Sequence, residues 1–283
     1  MGTDHMHTDT PGISRRHFLC GAQGLALSAV ALATMPRLAL ADSHAQERAI
    51  GNQVYNDLRQ KNQILDESPY YSTLRALGSR ISRAAAPHWY TMNFVVVKGS
   101  KANAFSVPGG WVYVNEALLR DAENEAELAN VLCHETGHIV LGHVMNRIHQ
   151  AQNLNILFAL GSLFVHTQGA ANAFNLAELG ANYGFLNFSR QQEYQADHEG
   201  VILANDAGYN PWGIVWFFKK LESLYGDSGF EQYVQDHPST KDRIARIESF
   251  FANDQAAFSG WSRAIASRSG LPLDHTNSRL VIN

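Results

Sequence analysis

His134 and His138 stand one helical turn apart in the run His134-Glu135-Thr136-Gly137-His138. Side chains at i and i+4 share a helical face, so both imidazoles point to one place. The stretch from Glu123 to Ile148 reads as one buried helix, with Leu128, Val131, Leu132, Ile139 and Leu141 supplying the apolar positions. Asp121, Glu123, Glu125 and Glu127 gather at its start, where the helix dipole favours negative charge. Histidines on a buried helix need partners for their ring nitrogens. The partner this spacing suits best is a Zn²⁺ ion, with Glu135 beside the pair as a general base.

A catalytic zinc takes three protein ligands and keeps one open position. A third histidine in the same run, six residues after the second, is excluded, because Val144 occupies that position and Leu141 stands where a glycine is required. His143 is one residue out of that register, about 100° round a continuous helix. It reads, like His149, as structural or exposed. A second helix offers the alternative. In Ser189-Arg190-Gln191-Gln192-Glu193-Tyr194-Gln195-Ala196-Asp197, Glu193 and Asp197 share a face. Glu193 is the expected third ligand, and Asp197 the group that holds a ligand histidine by its other nitrogen. Cys133 points away from His134 and reads as a buried core thiol.

Four segments carry a resemblance. They are His134 to His138 with its internal glycine, Ser189-Arg190 leading to Glu193 and Ala196-Asp197, Asn103-Ala104-Phe105 before Gly109-Gly110-Trp111-Val112-Tyr113-Val114, and His237-Pro238-Ser239-Thr240 followed by Arg243. In this order, over roughly residues 45 to 250, the chain resembles the HtpX-like and CAAX-prenyl-protease-like zinc metallopeptidases, in particular their soluble periplasmic members. The resemblance implies a gluzincin-type zinc metalloprotease with one Zn²⁺ per chain on His134, His138 and Glu193. It places the His237 loop beside the metal. His237 is then either a removable fourth ligand or a donor to the oxyanion, and Arg243 either positions it or shares that role. Asn103, Ala104 and Phe105 are expected at a sheet edge where an extended substrate adds a strand.

The expected fold class is α+β, mostly helical with a small antiparallel sheet. Helices are expected over 46–60, 70–85, 123–148, from Glu193 to about Asn205, from Pro211 through the aromatics Trp212, Trp216, Phe217 and Phe218, and over 239–250. Strands are expected over 91–98, 104–107 and 111–115. The apolar run 154–165 is too short to span a bilayer, which takes about 20 residues. It reads as a buried or interfacial helix, with peripheral membrane association as one outcome. Residues 42–253 are read as the peptidase domain and 254–283 as a polar tail.

The N-terminus has the form of an address. Ser14-Arg15-Arg16-His17-Phe18-Leu19 resembles a twin-arginine export signal, an apolar stretch follows, and Ala39-Leu40-Ala41 offers a cleavage site. Residues 1–41 are therefore read as a signal and the periplasm as the destination. The formal net charge is −4, which gives no basic face for nucleic acid. The expected activity is metalloendopeptidase action on unfolded or misassembled proteins, with envelope or outer-membrane partners. Two other readings stay open on the residues alone: a periplasmic chaperone-like binder built on a metal fold, and a zinc amidase acting on cell-wall peptides.

Overall fold

The computed structural model describes residues 44–86, 91–150, 188–229, 237, 240–261, 263–264 and 278–282. The signal-like segment 1–41 and the apolar run 154–165 lie outside the described residues. Residues 47–283 group as one compact unit, separate from residues 1–46. A first helix covers 44–60 (α1). It is followed by β1 (Glu67–Ser68), α2 (Tyr71–Ala84), β2 (Asn93–Val97), β3 (Ala104–Val107), β4 (Trp111–Asn115), α3 (Glu116–Asp121), α4 (Glu125–Val140) and α5 (His143–Gln150). Then come α6 (Arg190–Asp206), α7 (Gly213–Gly229), α8 (Thr240–Asn253), α9 (Gln255–Phe258) and β5 (Ser278–Arg279).

The three-stranded sheet has the order β2-β4-β3. β3 and β4 form an antiparallel pair, with Phe105 opposite Tyr113, while β2 and β4 run parallel, with Val95 also opposite Tyr113. The sheet is thus small and mixed, one pairing antiparallel and one parallel. The reason is insertion: the chain reverses between β2 and β3 and again between β3 and β4, so the strand that enters the middle must run with β2. Alternate residues serve opposite faces. Phe94, Val96, Val112 and Val114 join the main core, whereas Val95, Val97, Trp111 and Tyr113 join a second cluster with Leu58 of α1.

α4 is the central element, buried without interruption from Ala126 to Ile139. The Asn124 side chain caps its first turn by accepting from Glu127 N–H, and Glu125 and Glu127 face the positive end of its dipole. It packs against α6, α7 and β3. Its contact with α6 is close because of two glycines: a Cβ on Gly200 would stand 3.0 Å from His134 Cα, and one on Gly137 would stand 3.1 Å from the Ala196 carbonyl oxygen. α6 opens with a reciprocal capping box between Ser189 and Gln192. That cap starts the helix just ahead of Glu193.

The single helix expected over 123–148 is two. Gly142 has φ +68°, the left-handed conformation that ends a helix, and α5 begins at the next residue. The aromatic helix is core, as expected: Trp212, Trp216, Phe217 and Phe218 all join the main cluster. Cys133 is a free, buried thiol. The segment expected as a polar tail contributes Phe258 to the core and pairs β5 with β1. No described helix is long and apolar enough to cross a membrane.

Candidate active site

α4 supplies His134, Glu135 and His138, α6 supplies Glu193 and Asp197, and α8 supplies Arg243, while His237 comes from the segment between α7 and α8. All seven are buried. His134, His138, Glu193 and His237 each present one potential ligand atom, and these four atoms lie within 4.8 Å of one another. The two Nε2 atoms of His134 and His138 are 3.2 Å apart. Glu193 Oε2 lies 3.5 Å from the first, and its Oε1 lies 3.5 Å from the second. His237 Nδ1 lies 3.4 Å from His134 Nε2 and 3.1 Å from Glu193 Oε1.

These spacings test the metal reading directly. Ligands about 2.0–2.1 Å from a tetrahedral ion are separated from each other by about 3.3–3.4 Å. The separations of 3.1–3.5 Å scatter about that value, and three imidazoles with a carboxylate form a donor set typical of zinc. Among the described residues neither carboxylate oxygen of Glu135 has a hydrogen-bond partner, although the side chain is fully buried, and Oε1 lies 3.4 Å from His237 Nε2. A buried carboxylate left in this way beside a ligand cluster is available to handle a proton. The residues present fit a metal.

The surrounding charges hold these candidate ligands in place. Asp197 Oδ1 accepts from His134 Nδ1 at 3.1 Å. Arg243 grips Asp197 with two donors, Nε to Oδ2 at 2.8 Å and Nη2 to Oδ1 at 2.6 Å, and reaches Glu193 Oε2 with Nη1 at 2.9 Å. Burial alone would raise both acids, but the charges of Arg243 and His237 hold Glu193 well below its ordinary range, and Arg243 likewise lowers Asp197. Burial and the Arg243 charge work to lower His134, yet hydrogen bonds from Asp197 and Glu193 outweigh them and push it up to about 9. Burial drives His138 well below its usual value.

Each candidate residue has a definite place. Asp197 lies on the outer nitrogen of His134. The Arg243 guanidinium lies on Asp197 and Glu193. Asn103 precedes β3, its backbone tied to Asn115, with Ala104 and Phe105 in the strand itself. Among the described strands, β3 pairs only with β4, so it is an edge. His143 is the residue that sequence reasoning missed. It is buried, and its Nδ1 lies 3.1 Å from His138 Nδ1. The 100° argument assumed a continuous helix, and Gly142 was the signal against it. Phe188 was also missed. Its ring stacks on His138 with centroids 3.8 Å apart.

Comparison with known proteins agrees with this geometry. A family model described as Peptidase family M48 matches residues 72–250. The chain is 30% identical over 220 residues to Metalloprotease YcaL of Escherichia coli K12, covering 75% of this chain and 82% of that protein. It is 26% identical over 210 residues to the Beta-barrel assembly-enhancing protease of the same organism, covering 72% of this chain and 43% of the relative. It is 32% identical over 162 residues to the Mitochondrial metalloendopeptidase OMA1 of Schizosaccharomyces pombe, covering 56% and 47%. The chain thus spans less than half the length of the last two relatives. With the family match extending from α2 to α8 and enclosing every residue of the cluster, this chain belongs to peptidase family M48, a gluzincin-type family.

Proposed function

We propose that this protein is a zinc-dependent metalloendopeptidase of the cell envelope that cleaves unfolded or misassembled proteins. The observation that carries the reading is the convergence of His134, His138 and Glu193 on one point, with the buried carboxylate of Glu135, which makes no hydrogen bond among the described residues, beside it. A zinc ion held there would act as a Lewis acid toward the scissile carbonyl and acidify a water to a pKa of about 7. Glu135 takes the proton of the attacking water on its carboxylate and passes it to the leaving nitrogen. Asp197 keeps the His134 proton on Nδ1, which leaves Nε2 free to bind. Arg243 holds both carboxylates in place.

His237 supplies control. The distances from its Nδ1 to His134 Nε2 and Glu193 Oε1 support a fourth-ligand role in a resting state. The alternative is donation to the oxyanion, and kinetics separates the two. The edge of β3, led by Asn103, Ala104 and Phe105, suits an extended substrate held through backbone pairing. Such pairing reads no particular side chain, which suits unfolded clients. The similarity to a beta-barrel assembly-enhancing protease supports envelope quality control. Export by a twin-arginine signal over residues 1–41 is part of the same proposal, and so is a peptidase domain over 42–253.

Casein hydrolysis tests the reading. Cleavage is expected, to be abolished by a chelator and restored by added Zn²⁺. Cleavage that persists through chelation would refute the metal mechanism. No cleavage of casein alongside cleavage of cell-wall peptides would favour an amidase, and binding without turnover a chaperone-like role.

A further inference from the structure

A histidine that offers Nε2 to a metal carries its proton on Nδ1, and a buried Nδ1–H needs an acceptor. For His134 the acceptor is a carboxylate, Asp197, itself clamped by Arg243. Among the described residues no carboxylate stands at the outer nitrogen of His138. Its Nδ1 faces His143 Nδ1 at 3.1 Å, and His143 Nε2 faces Gln195 Oε1 at 3.2 Å. Two imidazoles in series leave no freedom once one end is set. If His138 Nδ1 donates, His143 Nδ1 must accept. The proton of His143 then sits on Nε2, where Gln195 Oε1 accepts it. Phe188 stacks on the face of His138, interplanar angle 23°, and fixes the ring plane while the row fixes the proton.

The geometry points to His143 and Gln195 as positioning residues that hold the proton of His138 on Nδ1 and direct its Nε2 lone pair at the metal position. This rests on the reading of His138 as a ligand. The two ligand histidines are anchored by different chemistry: His134 by a charged, acceptor-only group, His138 by a neutral row ending in an amide. Gln195 lies on α6 two residues after Glu193, so the helix that provides the third ligand also ends the row. The neutral anchor orients His138 without adding a further negative charge beside Glu193 and Asp197. The turn at Gly142 makes the arrangement possible, because it brings His143 back toward the ring five residues before it.

The test is Zn²⁺ affinity of the full chain, measured by competition with a chromogenic chelator, together with the visible spectrum of the Co²⁺-loaded protein. His143→Ala should weaken Zn²⁺ binding about 10- to 100-fold, the scale of losing an outer partner of a metal ligand, and should alter the Co²⁺ bands. His143→Gln offers an amide oxygen to the same Nδ1–H and should recover most of the affinity. Gln195→Ala changes an exposed residue with little risk to folding, and should weaken binding about fivefold, as for one neutral hydrogen bond lost. Wild-type affinity and an unchanged Co²⁺ spectrum in folded His143→Ala, or in Gln195→Ala if the first does not fold, would overturn the inference. So would a His143→Gln protein no better than His143→Ala at equal thermal stability. His138→Ala separates the two levels: zinc retained there refutes the ligand reading itself, whereas zinc lost there beside unaffected His143 and Gln195 variants refutes only the positioning role.

Discussion

Replacing Arg243 by Leu should cost this protein more stability than any other single change at the site. The guanidinium is fully buried and makes two hydrogen bonds to Asp197 and an ion pair to Glu193. Its loss takes the guanidinium charge away from two buried carboxylates and leaves them with His134 and His237 alone in the metal-free protein. Removing one partner of a buried pair costs about 3–5 kcal/mol. A domain is stable by roughly 5–15 kcal/mol in all. For a domain of this size, each kcal/mol shifts the melting temperature by about 2–4 °C, so a drop of roughly 6–20 °C is expected. The assay is thermal unfolding of the metal-free full chain, with Arg243→Lys falling between wild type and Leu, because an ammonium keeps the charge but not the fork. The pH dependence has a definite sign. Asp197 and Glu193 have lowered pKa values, so their contribution is present above their unfolded values of 3.8 and 4.5 and is lost as pH falls through the lower folded values. The gap between wild type and Arg243→Leu should therefore be full at pH 7 and close in acid. A Leu variant that melts within about 2 °C of wild type at pH 7 but loses turnover about 100-fold would refute this reasoning, and would make Arg243 a donor to the reacting oxyanion instead.

Three further outcomes are expected. The pKa of His134, pushed up to about 9, puts a second proton on its ring at pH 7 in the metal-free protein, and a metal at Nε2 must displace that second proton while Nδ1 keeps its own. Titration calorimetry of Zn²⁺ in buffers of different protonation heat should report at least one proton released, with apparent affinity falling as pH drops below 9; no release would contradict the assignment. His237→Ala should raise basal peptide cleavage and leave metal content nearly unchanged if His237 closes the site, or cut the rate about 100-fold or more if it serves the oxyanion; no change in either would remove it from the mechanism. Replacing Arg15-Arg16 by Lys-Lys should hold the precursor in the cytoplasm, and export that survives in cells lacking the twin-arginine machinery would refute that reading of residues 1–41.

What the sequence made legible was local. The His134 and His138 pair follows from helical spacing, and the relation of Glu193 to Asp197 follows from the same rule applied to α6. The strands 104–107 and 111–115 were visible as β-forming runs, and their bounds match. What escaped depends on the chain returning to itself. Nothing in Val95-Val96-Val97 says that β4 will enter between β2 and β3, so the parallel pairing was not readable. A two-residue strand such as Ser278–Arg279 has no period, and its partner Glu67–Ser68 lies at the other end of the domain. The break at Gly142 was written in the sequence but overridden by the apolar pattern on both sides of it, and with it went the place of His143. The grip of Arg243 on Asp197 spans 46 positions and two helices, a relation that only packing creates.

The central claim is that Glu135 is the base of a metal-dependent peptidase and not one of its ligands. Glu135→Gln keeps the shape of the side chain and removes its basicity. Casein hydrolysis by this variant, measured on protein carrying one zinc per chain, is the most direct test. No cleavage above background is expected at undiminished zinc content. Cleavage at the wild-type rate with zinc bound would contradict it.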